Sequence, residues 1–225
     1  MFEKLKNLKE TLQNSINRPS FDPSHFNDPL AMSIQWTPIK GGGSNFGTHK
    51  LVEKSPNEAV FQATLGAKLF SFAFIFAGVS VPVFTLVPFQ DDPVGNPVGM
   101  SEILFISLFG LVFAGVGIFM LRSYIKPVKF DKMNGYFWKG WKAPQPYNSG
   151  NEQLKDAVRL VDIHALQVIS EYIRGDKKSY YSYELNLVLK NGERVNVIDH
   201  GNKNKVIEDA NRLANFLGKP VWNAT

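Results

Sequence analysis

The chain has no cysteine among its 225 residues, which excludes disulfides, thiol catalysis and cysteine-based metal sites. It has no Lys or Arg between Lys68 and Arg122, and no charge of either sign in Leu69–Gln90 or Ile103–Leu121. As helices, apolar runs of about 20 residues cross a hydrocarbon core of roughly 30 Å. Ionisable groups are missing from both runs, which argues against a transporter or proton relay. The N-terminus lacks a basic stretch followed by an apolar core, so no cleaved signal peptide is expected and the first run would itself direct insertion. His25, His49, His164 and His200 are scattered without metal-ligand spacing, so no metal and no cofactor are expected.

What is present organises itself around the two apolar runs. They read as a membrane hairpin, with Asp91–Ser101 as the turn. Pro93, Gly95, Asn96, Pro97 and Gly99 supply the fixed or positive φ that such a turn needs. Lys54 and Lys68 precede the first span, and Arg122, Lys126, Lys129 and Lys132 follow the second. Basic flanks favour the cytoplasmic side, so both termini are expected there, in a plasma (inner) membrane protein of two spans. Pro82 should kink the first span, and Pro88 marks its end. Ser107, Gly110, Ala114 and Gly117 form a small-residue stripe on one span, and Ala73, Ala77 and Ser80 on the other. Such faces let membrane helices approach closely. Packing of the two spans on each other is the favoured reading, and a membrane partner is the alternative.

The flanks are polar and patterned. Met1–Asn17 has helical periodicity, for interfacial or domain packing, and Arg18–Pro29 reads as a linker. Ala31–Pro38 is a candidate strand. Gly41–Thr48 imitates a phosphate loop by glycine spacing, but Thr48 stands where the lysine belongs and His49 follows, so the segment reads as a flexible connection. His49–Glu53 and Ala59–Thr64 look like strands around Ser55-Pro56-Asn57. Beyond the second span, Asn134-Gly135 and Asn191-Gly192 mark two β-hairpins. Lys139–Leu154 is a polar loop, the second half of Ala157–Arg174 a strand, and Tyr181–Leu189 a half-buried strand. An amphipathic helix runs from about Asn204 to Leu217, ended by Gly218 and Pro220. The expected class is a membrane α-helical hairpin plus an α+β soluble domain, an antiparallel sheet closed by a C-terminal helix. The division expected is 1–65, an N-terminal cytoplasmic segment; 66–123, the hairpin; and 124–225, the cytoplasmic domain, with the N-terminal strands placed to extend its sheet.

Phe130-Asp131-Lys132 with Gly135, Asp162-Ile163, and the closing-helix positions Glu208, Ala210, Leu213, Ala214, Phe216, Leu217 and Pro220 carry a resemblance. From about Gly66 to Trp222 the chain resembles the photosystem I assembly family of cyanobacteria and chloroplasts. That family belongs among small bacterial-type membrane-hairpin proteins with a pleckstrin-homology-like cytoplasmic part. The resemblance implies a pleckstrin-homology-like sheet domain and an assembly role.

No catalytic constellation stands out. Asp162 and His164 share a strand face and are expected to form a structural pair. Asp199-His200-Gly201 precedes a helix N-terminus, where an anion could sit. Arg174, Lys177 and Lys178 make a basic turn, for which a solvated turn is the favoured reading and contact with anionic headgroups the alternative. The residues expected to make contacts are Arg174, Lys177, Lys178, Asp199, His200 and Lys203. The function expected is a non-catalytic, membrane-anchored scaffold or docking protein, with anionic-lipid sensing as the alternative and a membrane-bound enzyme less favoured. Membrane lipid and a protein of unidentified kind are the expected partners. A second copy of the chain is among the candidates and nucleic acid is not.

Overall fold

The structure, a computed structural model, describes residues 21–39, 41–86, 99–144, 157–175 and 178–225. The expected Met1–Asn17 helix, Pro88, most of the Asp91–Ser101 turn and Lys177 lie outside the described residues.

The class is mixed α+β. Strands β1 (His49–Ser55), β2 (Glu58–Ala63), β3 (Val128–Asp131), β4 (Tyr136–Lys139) and β5 (Ala157–Arg159) form one antiparallel sheet in that order. Strands β6 (Ile163–Ile173), β7 (Tyr180–Leu189), β8 (Arg194–His200) and β9 (Val221–Ala224) form a second, in the order β8-β7-β6-β9, with β9 parallel to β6. Both Asn-Gly turns join neighbouring antiparallel strands, and Gly135 and Gly192 adopt φ 76° and 85° there, a region open to glycine without steric cost. Phe61, Phe130 and Phe137 of the first sheet are fully buried against Leu166, Val168, Leu185 and Leu187 of the second. Between Lys203 and Leu217, a helix closes this core with Val206, Ala210, Leu213 and Phe216.

Two helices leave the first sheet between neighbouring strands. β2 pairs with β3 from Glu58↔Asp131 to Phe61↔Val128, yet Leu65–Leu86 and Met100–Tyr124 intervene in the sequence. Residues 49–63 and 128–159 therefore build one sheet around the insertion. Both inserted helices are long and apolar enough to cross a membrane. They pack on each other by omission of side chains. A Cβ on Gly78 would run into the Ala114 and Gly110 backbone; on Gly110, into Pro82 and Gly78; on Gly117, to within 2.7 Å of Ile75 and 2.8 Å of the Ser71 carbonyl. On the second helix the contact face is the expected Gly110–Ala114–Gly117 stripe. On the first it runs through Ser71, Gly78 and Pro82, whereas Ala73 is exposed. The Pro82 ring needs Gly110 opposite it, and that fixes the rotation of the helix.

The N-terminal segment departs from expectation. Instead of a strand over Ala31–Pro38, Pro29–Ser33 forms a short helix (α1). The Asp28 side chain caps it by accepting from Leu30 N, and Pro29 occupies its first turn. With α1 numbered first, the inserted helices are α2 (Leu65–Leu86) and α3 (Met100–Tyr124), and the closing helix is α4 (Lys203–Leu217). The segment from Phe21 to Ile39 straps the outer face of the second sheet. Phe26, Leu30, Ile34 and Trp36 cover Ala165, Val188 and Trp222. Three polar residues on that face bond to strap backbone: Gln167 Nε2 donates to Gln35 O (3.1 Å), Arg194 to Thr37 O (2.8 Å), and Ile39 N donates to Glu184 (3.0 Å). His164 and Asp162 are not partners. His164 meets Asp28 at 2.7 Å and Asp162 takes both hydrogen bonds of Arg159.

Candidate functional site

The site lies at the end of the sheets from which α2 and α3 emerge. Its first element is the Gly41–Gly47 loop, which is packed against strands. Gly42 and Gly43 N–H groups donate to the two oxygens of Glu171 (3.2 and 3.3 Å), and Tyr180 Oη donates to Gly43 O (3.1 Å). A Cβ on Gly43 would stand 2.7 Å from Ser182 Cβ, and one on Gly47 would stand 2.9 Å from His200 Nε2. Gly43 and Gly47 are there because the loop lies directly on β7 and on the His200 ring, so the loop is not a free connection, whereas Gly42 takes the positive φ expected of it, 84°.

The second element is the pair of helix roots. Thr64 precedes α2; its hydroxyl accepts from Ala67 N (3.2 Å) and donates to Gly47 O (2.7 Å). At the other root, His49 Nε2 donates to the Tyr124 carbonyl (3.0 Å), one of the carbonyls that α3 leaves without a helical partner. Thr48 Oγ1 donates to Asp199 O (3.1 Å), and Gly201 N to Phe46 O (3.1 Å). These bonds fasten the end of β8, the loop and both helices together. Burial lowers the pKa of His49 and of His200 below the ordinary value, which favours the uncharged ring. In His200 the Nδ1 accepts from Asn202 N at 2.9 Å.

Between loop, helix root and sheet lies a cleft of about 570 Å³, with Ser44, Asn45, Ser123, Lys126, Lys139 and Asp199 on its walls. Lys139 Nζ donates to Asn196 Oδ1 (3.0 Å), and Asn196 Nδ2 donates to Asp199 Oδ1 (3.1 Å). Gly140 N donates to Pro127 O (2.8 Å), and Lys139, paired with Val128, and Lys126 both line the cleft. A second cavity of about 520 Å³ lies across the loop, with His49, His200, Asp209 and Arg212 on its walls. There Asp209 accepts from Leu51 N (3.0 Å) and Arg212 donates to Leu51 O (3.3 Å), so α4 occupies the outer edge of β1. Burial raises the pKa of Asp209.

The residues expected to make contacts divide. Asp199 lines the cleft. Arg174 and Lys178 are exposed on the β6–β7 turn, and Lys203 is exposed at the start of α4. His200 is only 1% exposed and belongs to the packing under Gly47, so it offers no contact surface. The anion site envisaged at the α4 N-terminus is filled from within: Asn202 Oδ1 caps Lys205 N (3.1 Å). Lys126, Lys139 and Ser123 were missed. Lys139 could have been found by counting back from the Asn134-Gly135 turn, because that register sets Lys139 opposite Val128, at the exit of the apolar insertion. Among the described residues no group of three His, Asp or Glu side chains is placed to hold a metal ion. No protein-family model matches the chain, and a search of curated proteins finds no match.

Proposed function

We propose that the chain is an integral membrane protein of two spans, with both termini cytoplasmic and a pleckstrin-homology-like domain acting as a non-catalytic docking platform on the bilayer surface. The observation that carries this reading is the insertion of α2 and α3 between hydrogen-bonded neighbours β2 and β3, with Thr64 and His49 bonded across the two roots. Such a domain cannot swivel on a linker; it presents a fixed face to the membrane and another to the cytoplasm. The outward sides of the helices carry Phe72, Phe76, Leu108, Leu111 and Phe119, all exposed, an apolar surface that water does not tolerate and lipid covers. The two-sheet arrangement closed by α4 supports the pleckstrin-homology-like description. Assembly of a larger membrane complex, the role implied by the resemblance to the photosystem I assembly family, is the form of docking we put forward.

Two measurements test this. A Ser101→Cys probe should react with a membrane-impermeant reagent from the outer side only; cytoplasmic-side labelling alone would overturn the topology. A photo-crosslinker at Lys178 in native membranes should yield a discrete protein adduct by mass spectrometry. Turnover of a small molecule by the purified protein, without any such adduct, would replace docking with catalysis. Recognition of anionic lipid is a second reading, favoured by the cleft at the root of α3.

A further inference from the structure

The geometry points to the cleft at the root of α3 as a binding site for the phosphate of an anionic glycerophospholipid, held between Lys126 and Lys139. This inference rests on the membrane reading above and names a ligand for it. Ser123 lies in the last turn of α3 and Lys126 just beyond it, the depth at which a helix leaving a bilayer meets lipid phosphates. Lys126 is exposed and makes no ion pair or hydrogen bond among the described residues. Lys139 lines the same cleft from β4 and is steadied by Asn196. Among the described residues on the cleft wall there are two ammonium groups, Lys126 and Lys139, and one carboxylate, Asp199. Ammonium groups are strong donors to phosphate oxygens. A volume of about 570 Å³ falls among small-ligand clefts. Lys178 and Lys203, also cationic, are exposed outside this cleft and cannot enclose a headgroup.

The full chain purified in mild detergent, with phosphatidylglycerol and phosphatidylcholine supplied together, provides the test; native mass spectrometry reads which lipid is retained. Phosphatidylglycerol should be retained selectively, and Lys126→Gln should reduce that retention about fivefold, the weight of one basic residue near a lipid surface. Ser123→Phe, which fills the cleft without removing charge, should reduce it as well. Lys126→Arg should preserve it, and Lys178→Gln and Lys203→Gln should leave it unchanged. Melting temperatures matching wild type would exclude unfolding as the cause. Lys139→Gln is a weaker test because it also breaks the bond to Asn196. Undiminished retention in Lys126→Gln, or an equal loss in Lys178→Gln, overturns the inference. So does displacement by free glycerol 3-phosphate as readily as by lipid, which would assign the cleft to a soluble phosphate. Carbonate extraction separates the two levels. A chain that washes off membranes defeats the membrane reading and this inference together. A chain that stays, with lipid retention insensitive to Lys126, defeats this inference alone.

Discussion

The helix pair and the sheet domain are held together in opposite ways. Between α2 and α3 the contact is made where side chains are missing, at Gly78, Gly110 and Gly117. Between the sheets it is made by the largest side chains, Phe61, Phe130 and Phe137. In water, burying an aromatic ring is rewarded by its area, so the domain gathers rings inward. On the membrane reading proposed above, the helix pair has lipid around it and no such reward, and close backbone approach supplies the attraction instead. Several phenylalanines of the helices lie outside, as at Phe72, Phe76 and Phe119, while Phe74 and Phe113 stack on each other across the pair at 5.7 Å.

Opposite substitutions should break the two regions. Phe137→Ala empties the centre of the core and should cost about 3–5 kcal/mol, read as loss of cooperative melting of the domain. Gly110→Leu drives a side chain into Pro82 and should cost about 1–3 kcal/mol, read as reduced abundance and a lower melting temperature. Phe109→Leu, on the exposed side, is its control and should change neither. If Phe109→Leu does equal damage, the small-residue contact is not what holds the helices.

Smaller effects sharpen the picture at the seam between the regions. Asp209→Ala leaves Leu51 N without its buried acceptor and should cost about 1–3 kcal/mol in chemical denaturation. Acidification should weaken the domain through His49 and His200. Their folded pKa values lie below the ordinary 6.5, so the unfolded chain takes up protons first. Their contribution is complete above about pH 6.5 and declines as pH falls below it. His49→Gln should give a shallower decline of melting temperature with acid than wild type. Asp28→Ala removes both the partly exposed contact with His164 and the cap of α1, and should cost about 1–2 kcal/mol.

How much of this was legible follows the range of each interaction. The apolar runs, the two Asn-Gly turns and the closing helix are local patterns, and they were readable from the sequence. β9 was not: Val221–Ala224 is four residues long and is fixed only by lying parallel to β6. The strap was misread because Trp36 suggested a strand, whereas Asp28 and Pro29 start a helix and the later residues bond to side chains of β6, β7 and β8. The partner of His164 lies 136 positions away, beyond any spacing argument. Gly43 and Gly47 look like freedom in a sequence and are contact points in the fold, while Gly42 does use its freedom, at φ 84°. The cleft stayed hidden for the same reason, since its walls come from the loop, the α3 root, β4 and β8.

The central claim is that one sheet domain is built across the helix insertion, from residues 49–63 and 128–224 together. The most direct measurement removes Leu65–Tyr124, joins the chain by a short Gly/Ser turn, and compares the product with residues 124–225 alone by NMR spectroscopy and thermal melting. The account predicts a soluble, cooperatively melting domain with dispersed resonances for the excised chain, and no stable fold for 124–225, which lacks β1 and β2. A folded 124–225 fragment beside an unfolded excised chain would contradict it.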